Sequence, residues 1–115
     1  MANNKPIGVA YADPLFTTCY ATTEIGYGTD AQGTVTQATS KSTGVTLNKS
    51  AGQITMNNAA LASNTNVAFT LTNSLISAND VLIVNVAGGG ATAGTYNVFV
   101  SALAAGSATI VLRNI

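Results

Sequence analysis

The chain has 115 residues and a formal net charge of zero, with 7% charged residues and no histidine. That length is one domain, and the charged fraction lies far below the roughly 25% of an ordinary soluble domain. The four basic residues, Lys5, Lys41, Lys49 and Arg113, are too few to neutralise a phosphate backbone, so no nucleic-acid partner is expected. No apolar run is long enough to cross a bilayer as a helix, so no membrane partner is expected either.

Polarity comes instead from Thr (17), Asn (12) and Ser (8), neutral groups that hydrogen-bond without repelling one another. Such a surface with no net charge favours association. The chain therefore reads as a subunit that works packed among its own copies or on a larger surface. The opening Met-Ala-Asn-Asn-Lys-Pro holds no apolar leader region, so cleaved export is not expected. Cys19 has no second cysteine to pair with, which fits synthesis in a reducing cytoplasm.

In chain order, residues 1–32 stand apart as an N-terminal arm. Pro6 and Pro14 remove ladder donors and bias the residues before them toward extended backbone. Ile7–Ala12 reads as a single strand or an extended segment, and Gly26–Asp30 as a loop. Tyr11, Phe16, Tyr20 and Tyr27 give the arm an apolar weight that needs burial. They are the candidate partner-contact residues, docking on the arm's own body or on a neighbour.

From residue 33 onward turn residues recur regularly, and strands are predicted near 34–39, 44–48, 52–57, 66–73, 80–87, 95–103 and 107–113. Alternation points Ile54 and Met56, then Val67, Phe69 and Leu71, then Ala108, Ile110 and Leu112 toward a core. The runs 80–86 and 96–100 are apolar on both faces, which predicts the two central strands. A helical turn is expected at Ala59–Ala62 and a tight connection at Leu75–Ser77. Short strands at this spacing, with no long helix-period stretch, predict an all-β fold. The expected form is a single antiparallel β-sandwich or jelly-roll-like domain over 33–115.

The equipment for chemistry is sparse. Gly88–Gly94 leads into a strand rather than a helix and no lysine follows, so it reads as a hairpin loop and not a phosphate cradle. Asp13, Glu24, Asp30 and Asp80 are scattered singly, without metal-ligand spacing, and Asp80 reads as the start of a strand. Hydroxyls are plentiful, but the only bases beside them are Lys41 and Lys49, both in turn-like contexts. Cys19 has no basic neighbour to lower its pKa and reads as a packed residue. Asn48-Lys49-Ser50 matches a glycosylation acceptor, a triplet that arises by chance in an Asn- and Ser-rich chain. No catalytic residue, metal or cofactor is therefore expected. Thr-rich strand faces keep an adhesin reading open.

Several stretches resemble a family of small bacteriophage and prophage virion proteins. They are Ile25–Thr29, Gly33–Lys49, Gly52–Ala62, Phe69–Ser74 and Val111–Ile115, together with the opening Lys5–Pro14. The resemblance spans about residues 25–115, most of the chain, and carries no catalytic motif. It implies a capsid decoration (cement) protein: a β-sandwich whose arm helps it bind the outer capsid, with the major capsid protein as partner. It also implies a homotrimer or other homo-oligomer on the virion surface, made in the host cytoplasm. The alternative is a receptor-binding or adhesin module of a phage head fibre or tail. Similar proteins continue past Arg113-Asn-Ile with a further apolar strand, so a sheet completed differently is expected here.

Overall fold

Alternating apolar and hydroxyl-bearing residues form strands wherever a turn residue frees the chain to pair. The computed structural model describes residues 15–89 and 92–115. Among these residues six strands follow in order: β1 (Gln32–Thr36), β2 (Val45–Thr46), β3 (Ala51–Thr55), β4 (Thr65–Thr72), β5 (Tyr96–Ala104) and β6 (Ser107–Asn114). The only helical element among the described residues is a single 3-10 turn, Thr29–Ala31. The all-β reading holds.

The strands form two sheets. One is a parallel pair, β1–β3; the other has four strands in the order β2-β4-β6-β5. β6 runs antiparallel to both β4 and β5, whereas β2 joins β4 in parallel. The expectation of purely antiparallel pairing is thus corrected at β1–β3 and at β2–β4. The connections from β1 to β3 and from β2 to β4 are long enough to bring each partner back in the same direction.

Register builds the core. Val67, Phe69 and Leu71 stand beside Leu112, Ile110 and Ala108, which in turn stand beside Val98, Val100 and Leu103. Phe69, Leu71, Ala108 and Ile110 form the buried centre with Val45 and Ile76. Val35, Leu47, Ile54, Met56, Leu82 and Val84 pack against that centre. Of the inward positions read from alternation, Phe69, Leu71, Ala108, Ile110 and Leu112 are buried, Ile54 and Met56 pack against the core, and Val67 is only half-buried.

β5 and β6 are joined through Ala105-Gly106, and Gly106 takes φ 78°, a left-handed conformation with no Cβ penalty. A register shift between Val100 and Ala102 lets Leu103 return to the inner face. β1 and β3 meet at paired glycines, Gly33 and Gly52. A Cβ on Gly52 would lie 2.5 Å from the Gly33 carbonyl oxygen and 2.7 Å from Leu47 Cδ2. Glycine here permits the close approach of the small sheet to Leu47.

Two buried polar side chains tie the loops. Gln37 Nε2 donates to the carbonyls of Lys41 (2.9 Å) and Thr43 (3.0 Å), and its Oε1 accepts from the Asn57 N–H (3.0 Å). The 38–43 loop is thereby fastened to the end of β3. Asn73 Nδ2 donates to the Lys49 carbonyl (2.7 Å), and its own N–H donates to the Gly106 carbonyl (2.9 Å). That joins the β2–β3 connection to the β5–β6 turn. Each buried polar group has its partners, so neither carries the penalty of an unpaired donor or acceptor.

Three further expectations change. Among the described residues the 80–87 run joins no ladder, and β5 lies at an edge of its sheet; the central strands are β4 and β6. Apolarity on both faces signals surface to be covered, but it does not say that a strand of the same chain covers it. Ala59–Ala62 is irregular rather than helical, with the turn falling at Ser63-Asn64, where Asn64 takes φ 65°. The glycine loop 88–94 is not a hairpin, because no strand precedes it among the described residues.

Candidate interaction surface

The arm leaves the body at an anchored root. Ala31 N–H closes the 3-10 turn on the Gly28 carbonyl (3.0 Å), and Lys49 Nζ donates to the Asp30 carbonyl (2.9 Å). Tyr27 shares a cavity of about 330 Å³ with Lys49, Asn73, Leu75, Asp80, Val81 and Leu82. This places the root beside the start of the 81–87 segment.

Beyond that root the arm touches little. Every residue from Leu15 to Asp30 is exposed. Leu15 is 100% exposed, Tyr20 92%, Ile25 79%, Tyr27 63% and Phe16 61%. The radius of gyration, 17.9 Å, exceeds the about 13 Å of a compact chain of this length, consistent with a segment that stands away from the body. Of the four candidate contact residues, Phe16, Tyr20 and Tyr27 thus lie on one solvent-facing stretch. Tyr11 lies outside the described residues, as do Pro6, Pro14 and the predicted strand Ile7–Ala12. Cys19 is exposed, not packed, because the segment that carries it has no body beneath it.

Sequence reasoning missed a second exposed apolar region. Val81 is 88% exposed and Ile83 84%, with Val86 at 49% and Leu75 at 57%. The signal was present as the two-faced run 80–86 and was read as a central strand. Phe99, at the β5 edge, is 41% exposed on the outer face, where its register partner Val111 is buried.

Polar groups near these surfaces serve the fold. Lys41 Nζ donates to the Asn57 carbonyl, and an Arg113 guanidinium nitrogen donates to Asn64 Oδ1 (2.9 Å). Asp80 closes a turn: its Oδ2 accepts from the Ser77 N–H (2.8 Å) and its N–H donates to the Ser77 carbonyl (3.1 Å). It ends a turn ahead of an unpaired segment and does not open a strand of either sheet. Among the described residues no three metal-ligating side chains gather, and no helix is long and apolar enough to cross a membrane. No protein-family model, curated protein or solved structure matches this chain.

Proposed function

We propose that the protein is a structural component of a phage virion that decorates and stabilises the capsid, bound to the major capsid protein and acting as a homo-oligomer. The observation that carries this reading is the exposed apolar arm. Leu15, Phe16, Tyr20, Ile25 and Tyr27 lie within thirteen residues and remain in solvent. Apolar surface of that density marks a binding site for another macromolecule. Docking these side chains in a partner's groove would remove from water the apolar surface that the arm leaves exposed.

The likeness to small phage virion proteins gives the reading its biological setting. The resembling stretches contain Gln37, Gly33, Gly52 and Asn73, residues that staple loops or permit close packing. The likeness is thus one of fold-making residues, in keeping with a mechanical role that uses no catalyst. Contacts of this kind need no charge, and the chain supplies almost none.

The test is add-back of purified protein to shells lacking it, with copies per particle counted. Hundreds of symmetric copies, and shells more resistant to heat, are expected. A few copies confined to fibres or the tail would overturn the reading in favour of a receptor-binding module.

A further inference from the structure

Lys49 reaches across the base of the arm. Its stem lies over Gly33, where an added Cβ would meet Lys49 Cγ at 2.9 Å and Cε at 3.6 Å. Its Nζ donates to the Asp30 carbonyl (2.9 Å). Its own backbone carbonyl accepts from Asn73 Nδ2 (2.7 Å), and the buried Asn73 donates its N–H to the Gly106 carbonyl (2.9 Å). A continuous path of hydrogen bonds and one lysine stem therefore joins the β5–β6 turn to the 3-10 turn ahead of β1.

The chain changes character just before that turn. Thr29–Ala31 is closed by the bond from the Ala31 N–H to the Gly28 carbonyl (3.0 Å). Gly28 itself is extended, at φ −66° and ψ 166°, and neither Gly26 nor Gly28 takes a positive φ. Among the described residues, a Cβ on either glycine would meet nothing within 4 Å. Neither the backbone conformation nor the packing requires glycine at these two positions. What glycine supplies there is backbone freedom. A side-chain bond across this point, from Gln32 Nε2 to the Tyr27 carbonyl, is exposed and long at 3.4 Å.

We propose that Lys49 is a clasp that fixes the arm's root to the body and sets the arm's pivot at Gly26–Gly28. Phe16 lies twelve residues before Gly28, so it can range up to about 40 Å from a fixed point. With the clasp open, the fixed point retreats to β1, and Thr29–Ala31 must be ordered again whenever the arm docks. On the attachment reading, the clasp favours docking by leaving less chain to immobilise. Clasp and pivot are themselves properties of the free chain and stand apart from that reading.

Backbone order parameters from NMR relaxation of the free, full-length protein test the proposal. In the wild type, Thr29–Thr36 should show the about 0.85 of rigid backbone, with values below about 0.6 beginning at Gly28 and continuing toward Leu15. Lys49→Met keeps the stem over Gly33 and removes the donor. Thr29–Ala31 should then fall below about 0.6 while β4 and β6 are unchanged. Lys49→Arg restores a donor and should return the boundary to Gly28. G26A/G28A, which no described neighbour opposes, should raise the values at 26–28 and leave Thr29–Ala31 as they are. A wild-type boundary at Gln32, rigid values through Gly26–Gly28, or an unmoved boundary in Lys49→Met would overturn the proposal. So would loosening spread over β4 and β6, which would make Lys49 a residue of general stability. No capsid enters these measurements, so the count of copies on shells tests the decoration reading separately.

Discussion

β6 and the 81–87 segment are two apolar stretches of similar length that meet opposite fates. In β6, Ile110, Val111 and Leu112 are 3%, 8% and 8% exposed, because β4 and β5 flank it on both edges. In 81–87, only the side chains facing the core are covered, and Val81 and Ile83 stay almost fully exposed. The same contrast separates Phe69, 4% exposed, from Phe16, 61% exposed on the arm. An apolar side chain stabilises this fold only where the chain itself supplies neighbours. Elsewhere it remains exposed among the described residues.

Matched substitutions sharpen that contrast, and the largest effect should fall in the core. Phe69→Ala or Ile110→Ala should cost about 3–5 kcal/mol, lowering the melting temperature by roughly 4–8 °C for each kcal/mol. In a domain this size either could prevent folding. The loop staples come next. Gln37→Leu leaves the Asn57 N–H and two carbonyls without their partner and should cost about 1–3 kcal/mol, read by denaturant unfolding.

The two glycines of the small sheet should then separate from one another. Gly52→Ala meets the Gly33 backbone oxygen, which cannot move aside alone, and should cost about 1–3 kcal/mol. Gly33→Ala meets the flexible Lys49 chain at 2.9 Å and Leu47 at 3.1 Å, and should cost less. The smallest effects belong to the exposed apolar residues. Ile83→Ala and Phe16→Ala should stay within about 0.5 kcal/mol of wild type by thermal unfolding. A loss near that of Ile110→Ala would break the comparison, since it would show that these residues already serve the fold.

Much of the body was legible because alternation reports a buried face. Phe69 and Leu71, or Ile110 and Leu112, point inward wherever the strand sits in the sheet. Strand neighbours were not legible. The parallel pairings of β1 with β3 and β2 with β4 join residues far apart in sequence, and local alternation does not specify which edges meet. Gln37 gave no signal either, because a glutamine at a strand end reads as solvated until a loop folds over it. On the arm, the demand of Phe16, Tyr20 and Tyr27 for burial was plain, while the absence of any body under Cys19 was not. The 81–87 run misled because its second face has no cover among the described residues.

The central claim is that the body folds on its own contacts while the exposed arm serves attachment. Deleting residues 2–22 tests it most directly, with thermal unfolding and binding to capsids measured on the same preparation. Removal of Leu15, Phe16 and Tyr20 takes away no core residue, so the cooperative transition should persist within a few degrees. Capsid attachment should be lost. A truncated protein that still saturates capsids with unchanged affinity, or one that no longer unfolds cooperatively, would contradict the account.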